Sequence, residues 1–381
     1  MGEVIEQLTA FYLPEAPTSF FGRDPIIEDL LGFVERSESI ILLGAGGIGK
    51  TAIALTLLHH ARILAKFGQL RHFMRRRDPR GSLDEFLVRL SEAIGAHDLT
   101  DMAQLRSHLS HSPPRILVLD SMEPILDPLA PGAAEIASAI EEFSRCQNLC
   151  LLLTSKMDTR IADFRRIEVP TLSSKGAQDL FYSRCGLGRS TEVDNILEEL
   201  DCHPLSIDLL ACAAREHDWD EGTLSEAWGG GKTNILKAYR RQSLEDSIKS
   251  ALAAPTIQAH GMIALETLRA LAVLPGGVEE SKLESTFTEI SGIGDAINTL
   301  CEFFLVYRQD GFFKMLSPFR LYFLPYGQTL VGDSGSDTAS DTVAENIQYT
   351  PQDIFGFGLL FSFYVLCFSR VMSASLNLRT T

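Results

Sequence analysis

Residues 38–51 read Glu38-Ser39-Ile40-Ile41-Leu42-Leu43-Gly44-Ala45-Gly46-Gly47-Ile48-Gly49-Lys50-Thr51. The apolar run Ile40–Leu43 has the character of a buried strand, the segment after it that of a tight loop, and Ala52–Leu64 that of a helix. Gly44, Gly49, Lys50 and Thr51 fill every fixed position of G-x-x-x-x-G-K-[ST], in the strand–loop–helix setting the motif requires. The residue types follow from the chemistry. Across Ala45, Gly46, Gly47 and Ile48 the glycines let successive backbone N–H groups curl toward a phosphate without a Cβ in the way. The helix that opens near Ala52 adds further donors and the positive end of its dipole. Lys50 supplies a countercharge for phosphates, and the Thr51 hydroxyl a ligand for Mg²⁺.

Working outward, two more apolar runs end in polar residues. Arg115–Leu119 closes on Asp120, and Leu149–Leu153 on Thr154, Ser155 and Lys156. A carboxylate closing a buried strand is how phosphate-loop proteins set an acid beside Mg²⁺, so Asp120 joins Thr51 as a candidate metal residue. Helical patterns at Leu83–Ile94, Leu99–Leu109 and Ala133–Phe143 alternate with these strands. The alternation predicts an α/β fold, a parallel sheet flanked by helices with ligands at the strand carboxyl ends. Phe67–Met74 predicts a further strand. The basic cluster after it, Arg75, Arg76, Arg77 and Arg80, reads as a solvated loop because no aromatic residues interleave it. Upstream, Phe20–Asp24 leads into a predicted helix over Pro25–Glu35, with Asp24 as its N-cap.

Beyond Pro170 the strand pattern fades. Ser174–Cys185, Glu192–Leu200, His203–Glu216 and Thr223–Trp228 predict a helical domain. Within it Gly229-Gly230-Gly231-Lys232-Thr233 ends as a phosphate loop does, but Glu226 stands where the first glycine belongs and no strand precedes it, so a turn is expected. Helices over Ser243–Leu252, Met262–Leu274, Ser281–Glu289 and Ile293–Cys301 follow. Strands Phe303–Arg308 and Phe312–Leu316, joined at Gln309-Asp310-Gly311, complete a winged-helix-like pattern. The predicted organisation is a linker at 1–19, a P-loop nucleotide-binding domain at 20–168, a helical domain at 169–255, a winged-helix-like domain at 256–326, and a tail at 327–381.

The 381 residues are 45% hydrophobic and 22% charged, ordinary for a globular protein of two or three domains. A net charge of −16 argues against a general nucleic-acid partner. Seven cysteines without a C-x-x-C pair suit reduced thiols in the cytoplasm, and the acidic start at Glu3 and Glu6 does not fit a signal peptide. Val331–Asp341 has a disordered composition. Ile354–Ser369 is uncharged and apolar but short of the roughly 20 residues a membrane span needs. A membrane anchor, a helix docked on the core and unrelated appended sequence stay open for it, with membrane contact not the favoured reading.

Taken in order, these motifs resemble the STAND nucleotide-binding family, signalling ATPases of the NB-ARC and NACHT-like kind, especially fungal forms. Phe21-Gly22-Arg23 looks like the family's adenine-contacting segment, Arg115–Glu123 like its Walker B strand, and Leu151–Lys156 like its sensor strand. Cys202-His203-Pro204-Leu205 looks like the G-x-P motif, which would set Pro204 on the adenine, and Met315-Leu316-Ser317 falls where the family carries Met-His-Asp. The resemblance implies ATP or ADP with Mg²⁺ as cofactors. It implies a switch that ADP holds closed and ATP opens for homo-oligomerisation and signalling to a protein partner of unknown kind. The departures shape the expectation. Ser121 follows Asp120, which leaves Glu123 as the candidate base, and Lys156 replaces the sensor arginine. Leu316 and Ser317 replace the histidine and aspartate that read ADP. Nucleotide binding with slow or impaired hydrolysis is expected. The alternatives are an AAA-type motor with fast turnover and a truncated nucleotide-binding scaffold without signalling activity. Family members carry an N-terminal effector domain and C-terminal sensor repeats, so the chain is expected to be a switch core without either.

Overall fold

The computed structural model describes residues 13–75, 81–238 and 243–324. Most of the basic cluster, Arg76, Arg77 and Arg80, and the tail with its apolar segment lie outside them. Five strands, β1 (Ile40–Leu43), β2 (Arg71–Arg75), β3 (Arg115–Asp120), β4 (Leu149–Ser155) and β5 (Arg165–Glu168), pair in the order β2-β3-β4-β1-β5. Every pairing is parallel. β1, β3 and β4 are buried along their whole length, as strands covered on both faces must be, which is why they read as unbroken apolar runs. Their side chains divide by parity. Ile40, Leu42, Ile116, Val118 and Leu152 pack against α1 (Asp24–Glu35), α2 (Lys50–His59) and α3 (Ala61–Phe67). Ile41, Leu43, Leu117, Leu119, Leu151 and Leu153 face α4 (Leu83–Ala93), α5 (Met102–His111) and α7 (Ala133–Ser144). A short helix α6 (Glu123–Leu126) follows β3.

Several predicted boundaries shift for local reasons. The helix expected over Ala52–Leu64 breaks at His60, which is extended at ψ 140 and accepts the Arg62 N–H on its ring. Asp24 is the first helical residue of α1 rather than its cap; Arg23 flanks the helix and Pro25 fills the first turn. Strand β5, Arg-Arg-Ile-Glu, was not expected, because an edge strand with exposed ends carries no apolar run.

α8 (Ser174–Cys185), α9 (Thr191–Glu199), α10 (Pro204–Glu216) and α11 (Glu221–Ala238) close around a core of their own that includes Phe181, Val193, Leu210, Leu224 and Trp228. The turn expected at Gly229–Thr233 is instead helical, inside α11. Glycine costs about 1 kcal/mol in a helix interior, yet the buried Leu224 and Trp228 anchor the turns just before it.

The remaining elements are α12 (Ser243–Leu252), α13 (Pro255–Gln258), α14 (Met262–Ala272), α15 (Leu283–Thr286), α16 (Ile293–Glu302) and α17 (Ser317–Phe323). With them stands a small antiparallel sheet of β6 (Val278–Glu279), β7 (Tyr307–Gln309) and β8 (Phe312–Lys314) in the order β6-β8-β7. The hairpin turns at Asp310 and Gly311, both in the left-handed region at φ 53 and 79. The strand expected from Phe303 begins only at Tyr307, because Phe303, Leu305 and Val306 are buried in the turn after α16. This unit has no separate core. Leu268, Leu271, Ile297 and Phe319 join the cluster that holds α4, α5 and α7. Polar bonds add to that contact: the buried Asp127 accepts the Thr256 N–H at 3.2 Å, and the Glu302 carbonyl accepts the Asp158 N–H at 2.8 Å. Among the described residues no helix is long and apolar enough to cross a membrane.

Candidate functional site

The loop from β1 to α2 lies at the carboxyl edge of the sheet. The register sets Leu43 beside Ser155 of β4 on one side and beside Glu168 of β5 on the other. Lys50, the first residue of α2, is buried and donates to the carbonyls of Gly44 at 2.6 Å and Ala45 at 2.9 Å. Burial pushes its ammonium down to about 7, with Lys156 adding to the push and Glu123 and Asp120 opposing it. Ala52 continues α2, and Ala45 and Ile48 within the loop are buried.

Asp120 is the hub of this edge, with only 1% of its surface exposed. Its Oδ1 accepts the hydroxyls of Thr51 at 2.7 Å and Thr154 at 2.8 Å. Thr154 Oγ1 in turn accepts the Ser121 N–H at 2.9 Å, which ties the end of β3 to the end of β4. Asp120 Oδ2 accepts Arg75 Nε–H at 2.9 Å. Arg75, read with the basic cluster as a solvated loop residue, is the last residue of β2 and lies opposite Asp120 in the register. One more residue of strand would have placed it from sequence. A threonine hydroxyl bonded to a buried carboxylate suits Mg²⁺, which takes one or two protein oxygens and completes its shell with water and phosphate oxygens.

Glu123 opens α6 and turns back toward the end of β4. Its Oε2 accepts the Lys156 N–H at 3.4 Å, and Lys156 Nζ stands 3.6 Å from Oε1. The two sequence-predicted residues, one a candidate base and one a candidate sensor, are therefore partners.

On its outer side the loop meets the segment before α1 and later segments of the chain. The buried Arg23 donates to the Ile48 carbonyl at 3.1 Å and to the Thr171 carbonyl at 3.4 Å, and burial lowers its guanidinium to about 10. Gly22 packs backbone to backbone on α8, where a Cβ would lie 2.9 Å from Gly176 Cα. Phe21 packs against the core of the helical segment. Pro204 occupies the first turn of α10, and a Cβ on Gly47 would lie 2.9 Å from Leu205 Cβ. His203 Nε2 is 3.0 Å from the Gly46 carbonyl oxygen. Ser247 of α12 lies against Gly46, where any Cβ would collide with its hydroxyl. In the sequence His203 stands only as a neighbour of Pro204 and Ser247 carries no mark at all; no local signal marks a contact made across this much chain. Ser317, in the Met-His-Asp position, donates its N–H to the Asp201 carboxylate, and Phe319 meets the His203 ring edge-on at 6.1 Å.

The fold is that of the P-loop ATPases. A Walker-type ATPase of Pyrococcus abyssi superposes with a TM-score of 0.58 at 14% identity, over 82% of this chain and 98% of that one. A STAND protein with a tetratricopeptide repeat sensor from Pyrococcus horikoshii gives 0.43 at 11% identity, over 90% of this chain and 48% of that one. The ORC1 protein of Aeropyrum pernix, in complex with DNA, gives 0.41 at 15% identity, over 84% and 96%. No family model matches the chain, and no curated protein matches it.

Proposed function

We propose that this chain is a cytoplasmic, STAND-type regulatory switch that binds ATP or ADP with Mg²⁺ at Gly44–Thr51 and turns ATP over slowly. The observation that carries the reading is Lys50 bonded to the loop carbonyls beside the joined set Thr51, Asp120 and Thr154, in a loop that two later segments also touch. Residues 20–168 form the nucleotide-binding unit, 169–255 the helical unit and 256–326 the winged-helix-like unit of this reading. Lys50 offers phosphates a charge that is expensive to keep in its present surroundings, so a phosphate partner is well compensated. Mg²⁺, when bound, neutralises phosphate charge, and Thr51 and Asp120 would hold it.

Hydrolysis requires a water to attack the γ-phosphorus while the bond to the ADP oxygen breaks. Glu123 is the group that would accept that water's proton. Its carboxylate already engages the backbone N–H and the ammonium of Lys156, so it is not free to orient that water, which supports a slow switch over a motor. Homo-oligomerisation in the ATP form and an unidentified protein partner belong to the same reading, and the acidic chain does not suit nucleic acid. The test is nucleotide-dependent melting. ADP or ATP at about a hundred times its Kd adds roughly 2.7 kcal/mol to the stability of a binding domain. Lys50→Ala should lose most of that shift, and an unchanged shift overturns the assignment. A steady turnover within the roughly 1–100 s⁻¹ range of kinases would favour the motor instead.

A further inference from the structure

We propose that His203 is a positioning residue for the phosphate loop: it pins the Gly46 carbonyl so that the Gly47 N–H is presented to the nucleotide phosphates. The proposal rests on the nucleotide-binding reading above. The ring is completely buried, with 0% exposure. Nε2 lies 3.0 Å from the Gly46 oxygen and Nδ1 lies 3.1 Å from Ser206 Oγ. A carbonyl oxygen can only accept, so Nε2 carries the proton. Nδ1 is then bare and accepts the Ser206 hydroxyl, and one neutral tautomer satisfies both bonds. Burial, with Lys50 and Arg23 nearby, holds the ring neutral.

The consequence for the loop follows from peptide geometry. In a planar trans peptide the N–H points opposite the C=O. Holding the Gly46 carbonyl toward His203 therefore turns the Gly47 N–H away from it, and inward-turned N–H groups are what a phosphate loop offers an anion. The contact is close as well as polar. A Cβ at Gly47 would lie 2.9 Å from His203 Cε1 and 2.7 Å from Leu205 Cδ2, and Gly47 sits at φ 79. Glycine at 47 is thus required by the His203–Leu205 turn and by its own backbone angle.

The turn that aims the ring is itself special. Asp201 and Cys202 both adopt left-handed angles, φ 53 and 52, before Pro204 starts α10. The Cys202 carbonyl accepts the Leu172 N–H at 3.1 Å, and the Asp201 carboxylate accepts the Ser317 N–H. Nucleotide affinity is in this way tied to how the helical segment seats on the loop.

The experiment compares His203→Leu, which keeps bulk without a donor, with His203→Gln, whose amide restores one. ADP affinity is measured on the full chain beside Lys50→Ala, with selectively labelled glycine reporting the Gly47 amide. His203→Leu should weaken ADP binding about tenfold, the upper worth of one neutral hydrogen bond, and lose the ADP-induced shift of the Gly47 amide resonance. His203→Gln should recover both. Equal affinity in His203→Leu and wild type, or equal loss in both variants, overturns the proposal. If His203→Leu does not fold, a Gly47 amide unmoved by ADP in the wild type overturns it alone. Failure of the wild type to bind ADP, or binding unimpaired by Lys50→Ala, would instead remove the nucleotide reading itself.

Discussion

The phosphate loop is bounded by two flanks that are built in different ways. On the sheet side Thr51, Asp120, Thr154 and Arg75 converge because strands end there: each sits at a strand or helix terminus and the parallel register brings them level. On the outer side Arg23, His203 and Ser247 arrive from three separate segments, held by a glycine contact, a left-handed turn and a helix face. The first flank is a property of one domain. Apart from the Arg23 bond to Ile48, the second exists only when the later segments are seated. Chemistry placed at strand ends can be read from a run of residues, whereas chemistry supplied across domains depends on packing that no short stretch encodes.

The largest effect expected on the sheet flank comes from Asp120→Ala. The substitution leaves the hydroxyls of Thr51 and Thr154 without their buried acceptor, at about 1–3 kcal/mol for each group left unpaired. Melting of the nucleotide-free protein should fall by several degrees, and Mg²⁺ should no longer strengthen ATP binding. A variant that melts like the wild type would show that the carboxylate is not the hub, and that the two flanks do not differ in kind.

The same contrast explains what was legible. β1, β3 and β4 announced themselves because strands buried on both faces must be continuously apolar, and Asp120 and Lys156 stood out as polar residues closing such runs. β5 did not, since an edge strand of Arg165, Arg166, Ile167 and Glu168 has no reason to be apolar. Arg75 reads as part of the basic loop because nothing local fixes where a strand ends. The helical stretch at Gly229–Thr233 ran against local propensity, and tertiary anchoring by Leu224 and Trp228 prevailed. His203 is visible as a letter beside Pro204, but its bond to Gly46 spans 157 residues of chain.

A middle-sized effect should sharpen the account of the outer flank through pH. Burial lowers His203 to about 4, with Lys50 and Arg23 adding to the shift against the Gly46 bond, and burial likewise lowers His72 to about 4, helped by Arg115. In the unfolded chain these rings titrate near 6.5. Between about pH 6.5 and 4 the unfolded state binds more protons, so stability rises with pH across that window and is lost as pH falls through it. One group contributes at most about 1.4 kcal/mol per pH unit there. Denaturant titrations of wild type and His203→Gln over this range should show the shallower slope in the variant. Parallel slopes would mean that the ring is not held neutral in the folded state, and that the outer flank lacks the fixed tautomer its bonds require.

The smallest effect is expected at Glu123, where the two flanks give different answers. Glu123 belongs to the sheet side by position, yet its carboxylate is engaged with the backbone N–H and side chain of Lys156. If proton acceptance by this carboxylate contributes to turnover, Glu123→Gln should slow hydrolysis by about tenfold, below the usual worth of positioned proton transfer, because the carboxylate is held by Lys156 rather than free to orient a water. ADP and ATP affinities should stay near wild type, since the proposed site binds nucleotide through Lys50 and the loop amides. Single-turnover hydrolysis and equilibrium binding measured on the same preparation separate the two. Unchanged hydrolysis with unchanged binding would leave Glu123 as a residue that positions Lys156, and any turnover would then have to come from another group at the strand ends. Loss of binding in Glu123→Gln would carry a different lesson: the Glu123–Lys156 pair would be part of the phosphate cradle itself, and the sheet flank would extend one residue beyond β4.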